Sequence, residues 1–197
     1  MKKLGLFVFI LTAFSCAVSF AQALQEDQHW VEEVGGSVAF PTSGDASKAY
    51  STGFGGHFSV GYRISPNISE AIMTGYYQFN LQKPAPGSSG DFSYVPLMEV
   101  TRVTLGDGPF RPYAFFGLGM AFNTIKLTSA GQTNSTTETD LLLSPGAGLF
   151  WSAFPQAALF VQGRLDANFV SNSNPANHND SPTVFMPLEA GLAFYLL

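Results

Sequence analysis

Six charged residues lie in segments whose other residues suit β-strands: Arg63, Glu70, Glu99, Arg164, Asp166 and Glu189. Two guanidiniums among four carboxylates can form ion pairs, a charge-gated passage or a proton path, provided the chain brings them into one space. A second possible chemistry lies in His178, Asp180 and Ser181, with His57 of the second segment expected near the same rim, since an imidazole, a carboxylate and a hydroxyl are the parts of a nucleophilic site. Closeness within one polar stretch is not triad geometry, and the expectation is that the chain is not an enzyme. His29, His57 and His178 are too scattered for a metal site, and Cys16 is the only cysteine. No metal or cofactor is expected.

The elements that would position these charges can be read from side-chain alternation. In Arg111 to Leu127 one row is Ala114, Phe116, Leu118, Met120 and Phe122; the other is Tyr113, Phe115, Gly117, Gly119, Ala121 and Asn123. Alternate residues of a strand point to opposite faces, so one row meets a uniformly apolar medium and the other a crowded, partly polar space. Eight segments read this way, beginning near Glu33, Phe54, Ile68, Tyr94, Arg111, Leu141, Leu159 and Val184. Leu159, Val161, Leu165, Ala167 and Phe169 against Gln162, Arg164, Asp166 and Asn168 is the cleanest split. In the third segment Ala71, Met73, Tyr77 and Phe79 form the greasier row. In the fourth, Arg102 shares a row with Met98 and Val100, which places it near an interface if that row faces lipid. Tyr62, Tyr77, Trp151 and Phe169 are candidates for interfacial aromatic girdles.

Connections alternate in length. Short Pro, Gly or Asn turns follow the second, fourth and sixth segments. Longer polar stretches, Pro41 to Gly53, Gln82 to Asp91, Thr128 to Glu138 and Ser171 to Thr183, follow the others. Only 12% of the 197 residues are charged, about half the soluble norm of roughly 25%, so a soluble surface would be short of charge. The apolar rows exclude charge, whereas Lys or Arg at mid-membrane costs about 2–4 kcal/mol. Their counterparts of Gly, Ala, Ser and Tyr would fill an eight-stranded lumen, with Gly117, Gly119, Gly146, Gly148 and Gly191 letting opposite walls approach. These features predict an all-β chain: an eight-stranded antiparallel transmembrane up-and-down β-barrel, closed because an open edge is not tolerated in lipid.

Residues 1–23 pair Lys2 and Lys3 with an apolar run and end in Ala21-Gln22-Ala23, the pattern of a cleaved signal peptide cut after Ala21 or Ala23, with the barrel in 24–197. Without the two leader lysines, seven basic residues face fourteen acidic ones, a charge of −7 that disfavours nucleic acid.

Val95-Pro96-Leu97-Met98, Arg111-Pro112-Tyr113 and Gly117-Leu118-Gly119 resemble the signature of the bacterial outer-membrane β-barrel superfamily, which includes the OmpA membrane domain and OmpX. The C-terminal Glu189-x-Gly191-x-x-Phe194-x-Leu196 is similar to the assembly signal of that group, with Leu197 replacing the usual terminal aromatic. The resemblance implies a bacterial outer-membrane protein with both termini periplasmic. It also implies delivery by periplasmic chaperones, insertion by the barrel-assembly machinery and outer-membrane lipid around it, and the barrel is expected to be a monomer. The expected role is structural or surface-interacting, with the six charges forming a satisfied polar plug and Phe115, Phe150, Tyr76 and Tyr113 filling the lumen. A narrow channel for ions or small solutes is the alternative. A lipid-modifying enzyme comes after it.

Overall fold

The computed structural model describes residues 30–43, 46–82, 88–129, 131–154, 156–169 and 182–196. The strands are β1 (Trp30–Pro41), β2 (Gly53–Ser65), β3 (Ile68–Asn80), β4 (Ser88–Thr104), β5 (Phe110–Ser129), β6 (Gln132–Phe154), β7 (Ala157–Arg164), β8 (Asp166–Phe169) and β9 (Thr183–Leu196). A four-residue helix, α1 (Ala46–Ala49), interrupts the connection after β1. Each strand pairs antiparallel with its neighbour, and β9 pairs with β1 from Trp30↔Leu196 to Pro41↔Phe185, so the sheet closes on itself.

β7 and β8 are halves of one stave, making eight staves in all. Both pair with β6 on one side and β9 on the other, in an uninterrupted register. The ladder lapses at Leu165 because Pro145 on β6 and Pro187 on β9 flank this point without N–H donors. Leu165 still donates its own N–H to the Pro145 carbonyl (2.9 Å).

Alternation assigns inside and outside on most staves as the sequence predicts. Leu118, Leu165 and Leu192 face outward, Leu165 being 46% exposed, while Tyr113, Phe115, Gln162, Arg164 and Asp166 are buried within. Two staves correct the expectation. On β3 the row of Met73, Tyr77 and Phe79 points inward and Ile68, Ile72 and Tyr76 point out; on β4 Met98, Val100 and Arg102 point inward. Each row of these strands mixes apolar with polar or charged residues, Ile72 and Tyr76 with Glu70 and Thr74 on β3 and Met98 and Val100 with Arg102 on β4, so periodicity does not fix inside and outside. Register with the well-split neighbours decides it, through Gly55↔Tyr77 and Met98↔Gly119.

Inward glycines are receptacles for rings on the adjacent strand. Tyr113 pairs with Gly148, Phe115 with Gly146 and Phe160 with Gly191. A Cβ on Gly146 would run into the Phe115 ring, and one on Gly148 would come within 2.5 Å of Tyr113. The rings lie over the glycines and cross the lumen at low cost in volume, which is how an eight-stranded barrel holds several aromatics.

The predicted loop Thr128 to Glu138 is instead a continuation of β5 and β6, with Gly131 at φ 77° in the turn between them. Thr124 pairs with Thr137 and Thr128 with Thr133, their hydroxyls 3.0 and 2.9 Å apart. β-Branched residues favour strand even when both faces are wet, which a search for apolar alternation overlooks. The short turns lie at the end where β1 begins and β9 ends, here called the terminal rim; the longer connections lie at the opposite, loop rim. The expected leader, His29 and the stretch containing His178, Asp180 and Ser181 lie outside the described residues.

Candidate functional site: the filled lumen

Arg164, on the inward row of β7, is the centre of the interior. Its Nε donates to Asp166 Oδ1 (2.9 Å), its Nη1 to both Glu189 oxygens (3.0 and 2.9 Å), and its Nη2 to the Tyr77 hydroxyl (2.6 Å). Tyr77 in turn donates to Glu189, as does Gln162 Nε2, whose Oε1 accepts from Tyr113 (2.9 Å). Asp166 accepts from Ser144 (2.6 Å) and Tyr94 (2.7 Å). The side chains of Arg164, Asp166 and Glu189 are wholly buried. A buried charge is tolerated when its lone pairs and protons are used, and here β3, β4, β6, β7, β8 and β9 all contribute partners.

Towards the loop rim this network merges with an aromatic layer. Tyr77 stacks on Tyr94 (4.8 Å between centroids), and Phe185 lies 4.7 Å from Phe79, 5.4 Å from Phe92 and 5.4 Å from Tyr94. Tyr50, just after α1, stacks on Phe92 (4.9 Å), and its burial raises the pKa of its hydroxyl above the ordinary value. Above Leu142, Asn123 donates to Asp140 (2.6 Å).

Towards the terminal rim lies a second ionic group. Arg102 grips Glu33 through both terminal nitrogens, and Glu33 also accepts from Ser59 (3.3 Å). The Arg102 guanidinium lies over the rings of Tyr113 (4.7 Å) and Phe150 (5.0 Å). Arg63 and Arg111 lie below, both against the Tyr195 ring.

The structure thus brings together three of the six charges singled out in the sequence, Arg164, Asp166 and Glu189, and places Arg63 in the lumen at the terminal rim. Glu70 and Glu99 are placed elsewhere. They belong to the outward rows of β3 and β4, where Glu70 is opposite Tyr62, Glu99 is opposite Ile72 and Leu118, and Glu99 hydrogen-bonds Glu70. The same ambiguous alternation that reversed these strands reversed the two carboxylates. Tyr76 likewise faces out rather than filling the lumen, and Tyr77 belongs to the core rather than a girdle.

Sequence reasoning misses Glu33 as a lumen charge, although it shares a row with Gly35, Ser37 and Ala39. It misplaces Arg102 because Met98 and Val100 suggest lipid. His57 is not at a rim but inside, 3% exposed, its Nδ1 3.2 Å from Glu189 Oε2. His57 and Ser59, two apart on one face of β2, form a pairing that the sequence reading passes over. Ser59 is 1% exposed and donates to Glu33, so its hydroxyl is neither accessible nor directed to His57. Among the described residues no group of three or more His, Cys, Asp or Glu could hold a metal ion.

A closed antiparallel ring with an apolar outer wall and an internally neutralised core defines a small transmembrane barrel, since the same side chains would be a poor soluble surface. The chain belongs to the family of the Outer membrane protein beta-barrel domain, which it matches over residues 7–184. Among solved structures it is similar to Neisserial surface protein A (18% identity, 86% of this chain and 99% of that one, TM-score 0.62). It is also similar to a major outer membrane protein of Thermus thermophilus (14%, 87% and 100%, 0.62). A third similar structure is Ail, the attachment invasion locus protein of Yersinia pestis (16%, 85% and 97%, 0.53). Likeness at these identities establishes the fold. No curated protein is matched by sequence.

Proposed function

We propose that this outer-membrane barrel is a non-catalytic scaffold whose interior is plugged and whose loop rim is its working surface. The observation that carries this reading is the lumen itself: the Arg164 network and the Phe79, Phe92, Tyr94 and Phe185 layer fill successive levels of it with satisfied or stacked side chains.

The other support comes from the loop rim. β5 and β6 continue beyond the last ring contact, Leu141↔Phe169, as far as Ser129↔Gln132, with β4 paired alongside up to Ser88↔Ser129. Residues 132–140 of β6 face no second strand among the described residues, leaving about 30 Å of strand edge at about 3.4 Å per residue. A polar strand edge offers backbone N–H and C=O groups to whatever extended segment lies beside it, from this chain or from a partner. The family's compartment and the placement of the termini favour a signal-led export with both termini periplasmic and the β5–β6 projection outside. Phe194 and Leu196, outward on β9, are then available to the assembly machinery, while Glu189 and Gly191 serve the core. A monomer needs no further partner, because the ring closes within one chain.

Planar-bilayer recording of the purified barrel tests the plug. The expected record is a silent membrane at moderate voltage, with no concentration-dependent steps. Steady conductance that disappears or changes in Arg164→Ala would instead establish the narrow channel.

A further inference from the structure

The terminal mouth of the lumen carries more positive charge than the described residues neutralise. Arg63 of β2, Arg102 of β4 and Arg111 of β5 line one small cavity there, with Tyr195, Ser69 and Asn67. Among the described ion pairs Glu33 neutralises Arg102 and neither of the other two arginines. Arg111 donates to the hydroxyls of Ser152 (3.0 Å) and Tyr195 (2.8 Å), both neutral groups. Arg63 lies 5.3 Å from the centroid of the Tyr195 ring and Arg111 lies 5.5 Å from it. Two guanidiniums therefore crowd one ring with no carboxylate paired to either among the described ion pairs.

Unused donors point the same way. The Nε of Arg102 and the Nε of Arg111 are buried without a hydrogen-bond partner, and Arg102 is only 5% exposed. Buried N–H groups on charged side chains are seldom left empty, because each forfeits its hydration. The cavity, of about 20 Å3, has room for roughly one water-sized group. One oxygen of an anion fits its floor while the remainder stays at the rim.

We propose that this mouth is an oxyanion site, taking a phosphate group whose inserted oxygen is held by Arg102 and Arg111 and whose outer oxygens are held by Arg63. Guanidinium forks match phosphate oxygens in geometry as well as charge. The phosphate can arrive free in solution or as the headgroup of a phospholipid in the adjoining leaflet, and the two sources are separable.

The test uses 31P NMR on the refolded full barrel. In a sugar-headgroup detergent the only phosphorus is added inorganic phosphate; in the second arm, a few equivalents of phosphatidylglycerol are added to the same micelles. The expected result is a saturable shift or broadening in at least one arm, weakened tenfold or more in Arg63→Gln/Arg111→Gln and unchanged in Lys126→Gln on the distant projection. A response confined to the lipid arm assigns the headgroup; a response to inorganic phosphate assigns the free ion. The absence of saturation in both arms, as expected if a carboxylate from the chain's own ends neutralises the arginines, overturns the proposal. So does an equal response in the double variant, whose folding is checked independently by heat-modifiable gel mobility.

Discussion

Glu189 shows what a single residue must do in a lumen this narrow. It accepts from Arg164, Tyr77 and Gln162 at once, with His57 beside it. Removing one member of a buried pair strands the other, at a cost of about 3–5 kcal/mol. Arg164→Ala, which strands both Asp166 and Glu189, should lower barrel stability by that order, and Glu189→Ala by less because Arg164 keeps Asp166, both measured by urea unfolding in lipid with Trp30 and Trp151 fluorescence as the signal. The double variant should lose less than the sum, since Glu189 is then no longer stranded by the loss of Arg164, although Asp166 still is. Tyr77→Phe is the milder probe and should cost about 1.5–3 kcal/mol, the range for hydrogen bonds to charged groups. Arg164, Asp166 and Glu189 are legible in the sequence because the opposite row of each of their strands is apolar throughout, which leaves the charged row only the lumen. Glu70 and Glu99 are not, because on β3 and β4 both rows mix apolar with polar side chains, and the identity of a residue there says nothing about which wall it faces.

Among the elements, the strands themselves are legible from alternation and the turns from Gly, Pro and Asn. What alternation does not reveal is the interlock between strands. In the sequence the inward glycines suggest places where opposite walls approach; in the structure they are the sites over which Tyr113, Phe115 and Phe160 lie. Gly146→Ala makes that distinction measurable, because its Cβ would collide with the Phe115 ring and meet Arg164 Cβ at 2.8 Å. Overpacking of this kind costs about 1–3 kcal/mol. The loss should be partly relieved in Gly146→Ala/Phe115→Leu, where the facing side chain is smaller, so that the pair is less than additive in the same unfolding assay. A glycine needed only for wall approach would show no such coupling to Phe115. The β5–β6 projection is illegible for a different reason: threonine and serine on both faces look like loop to any test for an apolar side, yet their cross-strand hydroxyl pairs hold a ladder.

For the whole molecule, the organising fact is that the apolar surface lies outside. Phe116, Met120, Val161 and Leu192 are all more than a third exposed, an arrangement that water would penalise and hydrocarbon accepts. The outer wall is also graded along the axis. Near the terminal rim it carries rings, Trp30 packed edge-on against Tyr62 (5.2 Å) and Phe110 stacked with Trp151 (6.0 Å), together with the Glu70–Glu99 pair. Nearer the middle it carries only aliphatic, methionine and phenylalanine side chains on β5, β7 and β9. A cation added to this surface should therefore cost according to depth. Val161→Arg, midway along its stave, should lose about 2–4 kcal/mol in phosphatidylcholine bilayers, whereas Trp151→Arg, in the aromatic zone, should lose about 0–1 kcal/mol from the charge itself. Trp151→Ala measures the part due to the lost ring, so the difference between the two Trp151 variants isolates the charge. In a soluble barrel both arginines would sit in water and neither position would carry a charge penalty. A steep difference between the two depths is expected only if the ring is immersed in lipid with the orientation of its belt as described.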